Sequence, residues 1–460
     1  MLSIFRRERG FYRHFFVLAL PCIVQNLVTT ALGFIDTFMV GLLGNAEMAA
    51  VTAANVPIFI LQLVLFGFQS GMSILISQHW GKGDTDSISR ATGIAFMSIL
   101  TLTTAVALVM FFAPEWVLSL ITDEALLITL GTPYLQIVGF SYIFNGFNTV
   151  YAGLQRATEN PTFGMAVFAI SMLFNTVGNY LLIFGKFGFP KLGITGAAVA
   201  TLASRVVEFL IVIAYIAFSR RVPLRLSLLL CPGREMLHAF VKYSTPVVLN
   251  ETLWSTGTSM LTVVMGHMDE SVEMLAAHAI MGNIDKFSTV ICFGVAAASA
   301  VVIGKEIGEG ASDEHVQSLA KTLLALALLA GILTGGLLLG LLPVFFEPVL
   351  FPLFDLSPLA AQIATYMCLI YALTMPMRAF DVTNITGVLR AGGDVRAAIC
   401  IDIIPLWCVA VPLSALAGVV LRCDPGWVCL AMQAENLCKL PAGVLRLKSR
   451  KWIHNVTKTL

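Results

Sequence analysis

Residues 20–41 read LPCIVQNLVTTALGFIDTFMVG, an apolar stretch that contains a single carboxylate, Asp36. An ionised carboxylate at the centre of a bilayer costs roughly 2.5 to 10 kcal/mol or more, so such residues are rare and usually functional. Asp36 has no basic residue within four positions on either side, so no local ion pair neutralises it. Two interpretations remain open: a group that takes up an ion, or a hydrogen-bond acceptor between two helices.

The composition is that of an integral membrane protein. Of the 460 residues, 58% are hydrophobic and 12% are charged, whereas soluble domains contain about 25% charged residues. Apolar segments recur along the chain, and most exceed the roughly 20 residues that a spanning helix needs. A β-barrel would instead show alternating segments of about ten residues. The sequence therefore predicts an all-α bundle whose basic N-terminal segment leads into a retained first helix.

Glycine, proline and charge clusters divide the chain into twelve candidate transmembrane helices. They cover residues 14–43, 53–79, 91–113, 126–153, 163–187, 193–218, 237–267, 274–304, 318–346, 359–390, 395–419 and 424–446. An even number of spans places both termini on one side. Lysine and arginine concentrate at the termini and in the loops on that side, with Arg6 and Arg220 among them. The opposite loops contain Lys186, Lys191 and Arg422. The positive-inside rule therefore predicts a multi-pass protein of the plasma membrane with both termini in the cytoplasm.

The opening stretch has an echo in the second half of the chain. Pro21 in LPCIVQN corresponds to Pro246 in TPVVLNE, and Gly41 corresponds to Gly266 at the same spacing. Two further pairs follow in the same order: ISQHWGKGD at 76–84 with IGKEIGEGA at 303–311, and FNTVYAGLQR at 147–156 with FDVTNITGVLR at 380–390. This ordered recurrence predicts two pseudo-symmetric halves of six helices each.

Each half is predicted to form one lobe. The N-lobe covers 1–218, a cytoplasmic inter-lobe loop covers 219–236, the C-lobe covers 237–446 and a basic cytoplasmic tail covers 447–460. Lobes with an even number of spans share one orientation, a transporter pattern in which substrate binds at the bilayer midplane between the repeats. The basic tail also predicts contact with anionic lipid headgroups. Nucleic-acid binding is not expected, because the chain has no basic domain.

The sequence lacks the motifs of several other function classes. GKGDTD at 81–86 does not have the spacing of a nucleotide-binding P-loop and predicts a turn, so ATP hydrolysis by this chain is not expected. The seven histidines form no H-E-x-x-H motif, which argues against a membrane-embedded enzyme, and no cofactor is predicted. An ion gradient or a downhill path remains as the energy source. A channel would also fit, although the repeat favours alternating access.

Three acids inside the predicted spans stand out: Asp36, Glu251 and Asp381. Glu251 lies five residues after Pro246 without a local cation, and Asp381 has Arg378 three residues before it. Burial without a cation favours the protonated form of a carboxylic acid, and carboxyl oxygens can also hold Na⁺. We therefore expect these acids to couple transport to H⁺ or Na⁺, with Na⁺ held at Glu251 and Asp381. A bridge between Arg378 and Asp381 would disfavour Na⁺.

Other ionisable residues in the spans have structural explanations. Arg205 and Glu208 are three positions apart and lie on one helix face, and Glu435 and Lys439 have the favoured four-residue spacing of an ion pair. Asp285 needs a partner from another helix or access to water. Five asparagines either line a cavity or join neighbouring helices: Asn26, Asn148, Asn175, Asn179 and Asn384.

These motifs together resemble the multidrug and toxic compound extrusion (MATE) family, in particular its NorM-like branch. The resemblance rests on LPCIVQN, the first-helix acid, MVGLLGNAEMAA, GMSILISQHWGKGD, AAHAIMGNID at 276–285 and SRKWI at 449–453. Proteins of this family have twelve helices in two six-helix lobes around a central cavity, and they exchange organic cations for Na⁺ or H⁺. The resemblance matches Asp36, Glu251 and Asp381 to the family's first-, seventh- and tenth-helix acids. It matches Pro21 to the proline at which the first helix of relatives is proposed to bend on protonation.

The resemblance implies a secondary antiporter that exports small organic cations by alternating access and acts as a monomer in the lipid bilayer. Arg378, Pro21 and Asp285 are expected to modulate the three acids. The alternative is a lipid-linked oligosaccharide flippase of the same superfamily. Such a protein would need several unpaired basic residues for pyrophosphate, whereas the cations in these spans mostly lie near acids.

Overall fold

The computed structural model describes residues 7–219 and 221–458, and these residues form helices and loops without a β-strand. Arg6 and Arg220, which contributed to the predicted membrane orientation, lie outside the described residues. The first half contains six long helices: α1 (Arg9–Gly41), α2 (Asn45–Lys82), α3 (Thr85–Phe112), α4 (Ala125–Ala157), α5 (Pro161–Phe184) and α6 (Ile194–Phe218). Two short helices accompany them, Pro114–Ser119 and Leu226–Leu230.

The second half repeats this order of elements. It contains α7 (Arg234–Gly266), α8 (Ser271–Gly308), α9 (Asp313–Leu353), α10 (Pro358–Leu389), α11 (Val395–Val420), α12 (Pro425–Met432) and α13 (Ala434–Lys448). The pair α12 and α13 occupies the twelfth predicted span and is interrupted at Gln433. Among the described helices, ten are long and apolar enough to cross a membrane. The all-α, twelve-position architecture predicted from the sequence is therefore confirmed.

The glycine-rich segments between α2 and α3 and between α8 and α9 are tight turns, as predicted. Gly83 and Gly310 have φ angles of 76° and 81°, which glycine adopts without steric cost. Asp84 caps α3 by accepting a hydrogen bond from the Ser87 backbone N–H, at 3.0 Å. Burial opposes ionisation of Asp84, but the hydrogen bonds from Ser87 hold the pKa of this carboxyl below its ordinary value. These segments are helix connections with their own caps.

The described residues form two compact units. The N-unit is Val24–Val248, and the C-unit combines the described residues up to Ile23 with those from Leu249 onward. This division differs from the predicted lobes in two places, because α1 and α7 each begin in one unit and end in the other. Pro21 lies inside α1 close to the point of division.

The beginning of α1 is part of the core of the C-unit. Phe15, Leu18 and Ala19 are 1–2% exposed and belong to the apolar cluster that contains residues of α8 and α9. Gly294 of α8 lies directly against Ile23, and a Cβ atom at residue 294 would be 2.3 Å from that side chain. Large side chains of α1 therefore complete a core that is otherwise built by the second half of the sequence.

The beginning of α7 is packed in the N-unit in the corresponding way. Phe240 is 1% exposed and stacks on Phe68 of α2 at a centroid distance of 6.1 Å. A Cβ atom added at Gly71 would be 2.1 Å from the hydroxyl oxygen of Ser244. The glycine allows the two helix backbones to approach closely, as at many membrane helix contacts.

In each half of the chain, the segment that follows the sixth predicted span packs back onto its own unit. In the N-unit, Arg225 pairs with Asp86 at 3.0 Å and Arg221 donates to the backbone carbonyl of Glu159 at 3.1 Å. The short helix that follows lies against α3, where a Cβ atom at Gly93 would be 2.2 Å from the Leu229 carbonyl. The inter-lobe loop is therefore attached to the ends of α3 and α4.

The tail of the C-unit is attached to equivalent places. Trp452 is completely buried, and its Nε1–H donates to Gln317 of α9 at 3.1 Å. The backbone N–H of His454 donates to the Gly392 carbonyl between α10 and α11, at 2.8 Å, and Arg446 pairs with Asp394. The basic side chains between these anchors are exposed: Lys448, Arg450 and Lys451. Contact of these side chains with lipid headgroups stays a prediction.

Candidate ion-coupling site

Asp36 lies at the end of a chain of amide hydrogen bonds in the N-unit. Its Oδ1 accepts a 2.6 Å hydrogen bond from Nδ2 of Asn179 on α5. Asn179 Nδ2 is also 3.0 Å from Asn175 Oδ1, and Asn175 donates to Thr201 Oγ1 on α6 at 3.2 Å. The Oδ1 atom of Asn179 is buried and has no hydrogen-bond partner among the described residues. Asn175 and Asn179 thus join α1, α5 and α6 around the carboxylate.

The nearby arginine of the N-unit is already paired. Arg205 Nη1 lies 2.6 Å from Glu208 Oε1, and the other carboxylate oxygen of Glu208 accepts from Asn148 at 2.9 Å. The predicted pair of Arg205 and Glu208 is therefore confirmed, and Asn148 completes it from α4. The charge of Arg205 also acts on Asp36 through space. Within the described ranges, however, Asp36 makes no ion pair, so its direct partner is the neutral amide of Asn179.

Asp381 is the most isolated acid of the C-unit. It is 4% exposed, and neither of its carboxylate oxygens has a hydrogen-bond partner in the described part of the chain. Arg378, one turn earlier on α10, does not bridge to it. The guanidinium of Arg378 instead forms two hydrogen bonds with Asp285 of α8, one of them 2.9 Å between Nη2 and Oδ2. Asp285 thereby has a partner from another helix, which is one of the two possibilities that the sequence left open.

Glu251 forms an ion pair with Arg390, which is too far away in the sequence for residue spacing to predict the pair. Arg390 Nη2 lies 2.8 Å from Glu251 Oε1, and Arg390 is 2% exposed. Arg390 is the last residue of the predicted span 359–390. Its buried position follows from the π-helical stretch Thr383–Leu389, which extends α10 as far as this residue. Of the two C-unit acids, Asp381 is thus the one without a compensating charge in direct contact.

A second charged cluster lies in the same unit. Lys439 of α13 is 2.8 Å from Asp402 on α11 and 3.0 Å from Glu435, and Asn250 of α7 donates to Asp402 at 2.9 Å. The predicted pair of Glu435 and Lys439 is confirmed, and Asp402 is an addition that sequence spacing did not reveal. We call Lys439, Asp402 and Glu435 the lysine cluster.

The remaining asparagines from the sequence analysis occupy different environments. Asn26 is half-buried on α1. Asn384 is completely buried one turn after Asp381, and neither its side-chain oxygen nor its nitrogen has a partner among the described residues. Thr383 is also buried and its hydroxyl is likewise unpaired within these residues. The π-helical stretch after Asp381 therefore contains several unused polar atoms, and such stretches are frequent at functional sites.

The pair of Arg378 and Asp285 gives a direct test of this arrangement. Replacing Asp285 with asparagine is expected to destabilise the protein by about 1.5–3 kcal/mol, the range for hydrogen bonds to charged groups. The guanidinium would keep a neutral acceptor but lose its counter-charge. Thermal unfolding of the purified variant in detergent would measure the effect, with D269N at the exposed pair of Asp269 and Arg422 as the control. Equal midpoints for both variants would contradict the pairing.

Comparison with known proteins places the chain in a family. The MatE family model matches residues 21–181 and 246–416, one match in each half. The uncharacterized transporter YisQ of Bacillus subtilis is 24% identical over 444 residues, 95% of this chain and 94% of that protein. The probable multidrug resistance protein NorM of Thermotoga maritima is 25% identical over 437 residues, with 95% and 92% covered. The crystal structure of the eukaryotic MATE transporter AtDTX14 has the same fold, with a TM-score of 0.84 at 17% identity and 97% coverage of each chain. The chain therefore belongs to the MatE family of multi-pass membrane transporters.

Proposed function

We propose that this transporter is a secondary antiporter of the plasma membrane that exports small organic cations in exchange for H⁺ or Na⁺ by alternating access. Both termini are cytoplasmic in this proposal, and the chain acts as a monomer without a cofactor. The observation that carries the proposal is the pair of acids without a direct cation among the described residues, the half-buried Asp36 in the N-unit and the buried Asp381 in the C-unit. Acids in this state are suited to binding and releasing a transported cation.

The surroundings of Asp36 suit both protonation states of its carboxyl group. An ionised carboxylate only accepts hydrogen bonds, whereas a protonated one also donates. Asn179 donates to Asp36 in the present arrangement, and its buried Oδ1 atom has no hydrogen-bond partner among the described residues. A rotation of the amide group would offer that acceptor to protonated Asp36. Asn179 can therefore partner Asp36 before and after proton uptake.

The C-unit provides oxygen atoms for a cation at Asp381. Thr383 and Asn384 lie two and three positions after this acid, and both are buried with unpaired side-chain oxygens within the described chain. Carboxylate, hydroxyl and amide oxygens are the ligands of hard cations, so this segment also suits Na⁺. Glu251 is neutralised by Arg390 in the present arrangement. A cation at Glu251 would require that pair to open, which makes Asp381 the stronger candidate.

Two observations favour drug export over lipid-linked oligosaccharide transport. The NorM relative is named as a probable multidrug resistance protein. In addition, four basic residues within the predicted spans each pair with an acid: Arg205, Arg378, Arg390 and Lys439. A pyrophosphate group needs cations that are free to bind it, whereas paired cations are already neutralised.

Transport by the purified protein in proteoliposomes tests the proposal. Ethidium movement would be followed by fluorescence while H⁺ and Na⁺ gradients are imposed separately. We expect uphill ethidium transport under at least one gradient and its arrest when an ionophore removes that gradient. Dye movement that responds to neither gradient would contradict the antiport mechanism, and transport of a lipid-linked oligosaccharide without dye transport would favour the flippase.

A further inference from the structure

The buried charges around Asp381 are not balanced. Glu251 and Arg390 neutralise each other, which leaves three acids and one base: Asp381, Asp402, Glu435 and Lys439. All three charged groups of the lysine cluster are close enough to act on Asp381 through space. A surplus of buried carboxylates is unfavourable unless a cation joins them. The charges of the lysine cluster therefore influence how strongly ionised Asp381 binds a cation.

Lys439 has an unused hydrogen-bond donor. A lysine ammonium carries three N–H groups. Lys439 donates one hydrogen bond, to Asp402, and its 3.0 Å contact with Glu435 is an ion pair without hydrogen-bond geometry. The side chain is 5% exposed, so water does not readily satisfy the remaining N–H groups. Its four-carbon stem is flexible and allows the charge to move between neighbouring acceptors. Lys439 is thus able to make one further contact without leaving its present partners.

The packing of α13 on α10 brings the helical turn after Lys439 against the segment that contains Asp381. Gly443, one turn after Lys439, lies against Asn384, and a Cβ atom at residue 443 would be 2.5 Å from Asn384 Nδ2. Asn384 is in turn one helical turn after Asp381. The turn of α13 at Gly443 therefore lies close to the segment of α10 that contains Asp381, and the glycine allows this close approach.

We propose that Lys439 is the internal counter-cation of Asp381, which neutralises this acid after the transported cation leaves and is displaced when the next cation binds. The proposal rests on the proposed antiport function and specifies how its C-unit site is emptied. Without such a group, release of H⁺ or Na⁺ would leave an ionised, buried and unpaired carboxylate, which is strongly unfavourable. Lys439 acts through Asp381 and is therefore a positioning residue.

Two substitutions in the lysine cluster should change ion dependence in opposite directions. K439Q removes the competing cation, so we expect the half-saturating concentration of the coupling ion to fall at least tenfold, with a lower maximal rate because release is slower. D402N removes one partner of Lys439 and one nearby negative charge, so Lys439 becomes more available to Asp381. We expect the half-saturating concentration to rise about tenfold in this variant. The measurement is ethidium transport in proteoliposomes against H⁺ or Na⁺ concentration.

K448Q is the matched control, because Lys448 is an exposed lysine on the same helix. A structural role of the lysine cluster would lower the amount of folded protein and the maximal rate in both variants without opposite shifts in ion dependence, and this result would overturn the proposal. If K439Q does not fold, an unchanged or lowered half-saturating concentration in D402N would overturn it equally. Loss of ion coupling in the unsubstituted protein would instead refute the proposed antiport function.

Discussion

Ethidium efflux driven by an ion gradient is expected to fall to the level of protein-free vesicles when Asp36 is replaced by asparagine. The substitution removes the only group in this part of α1 that can bind and release a proton, and it removes the charge that attracts a cation. The expected loss is greater than a hundredfold, because an asparagine amide does not titrate in the physiological range. Initial rates in proteoliposomes, normalised to the amount of reconstituted protein, would measure it.

D36N is expected to leave the fold intact, which separates a transport defect from misfolding. The asparagine at residue 36 keeps an Oδ1 acceptor for Asn179 and nearly the same volume. Its thermal midpoint should therefore remain close to that of the unsubstituted protein. D123N, which changes an exposed aspartate between two helices of the same unit, is the control for the loss of one negative charge. Ion-driven efflux by D36N at more than half of the normal rate would exclude Asp36 as a coupling residue.

Replacement of Trp452 by alanine is expected to give the largest loss of stability. The side chain is completely buried against Gly392, where a Cβ atom would be 2.5 Å from the indole ring, and it donates to Gln317. Truncating a buried tryptophan to alanine costs about 3–5 kcal/mol, and the lost hydrogen bond adds to this. The thermal midpoint of the purified variant should fall by several degrees or more.

K451A provides the comparison for Trp452, since it changes the adjacent, exposed residue of the tail. We expect its midpoint to be unchanged. Hydrogen–deuterium exchange would locate the effect, because release of the tail should expose the backbone amides after Lys448 in W452A and not in K451A. Equal exchange of this segment in both variants would show that the tail does not depend on this anchor.

The sequence predicted those features of the fold that depend on local patterns. Runs of apolar residues separated by glycine, proline and charges defined the twelve helical positions. The pairs Arg205 with Glu208 and Glu435 with Lys439 followed from positions three or four apart on one helix face. Each of these features is determined within one or two helical turns, where spacing specifies geometry.

The partners of the C-unit acids could not be predicted in this way. Arg390 is 139 positions from Glu251, and Arg378 is 93 positions from Asp285, so each pair exists only because different helices meet. The three-residue spacing of Arg378 and Asp381 pointed to a local bridge. The structure instead has Arg378 bound to Asp285 by two hydrogen bonds, which hold the guanidinium on the side of α8. An arginine three positions before an aspartate permits either a local bridge or a partner on another helix, and tertiary packing decides between the two.

The division of α1 and α7 between the units has a consequence for the origin of the repeat. A fragment ending before Arg234 would lack the α7 segment that contains Phe240, and the complementary fragment would lack Phe15 and Leu18. Neither fragment alone would fill its own core, so the two should be soluble in detergent only when they are produced together. If the repeat arose by gene duplication, a six-helix ancestor with the same packing would have exchanged the beginning of its first helix with a second copy. Fusion of the two gene copies would then have joined the subunits of an obligate dimer into one chain.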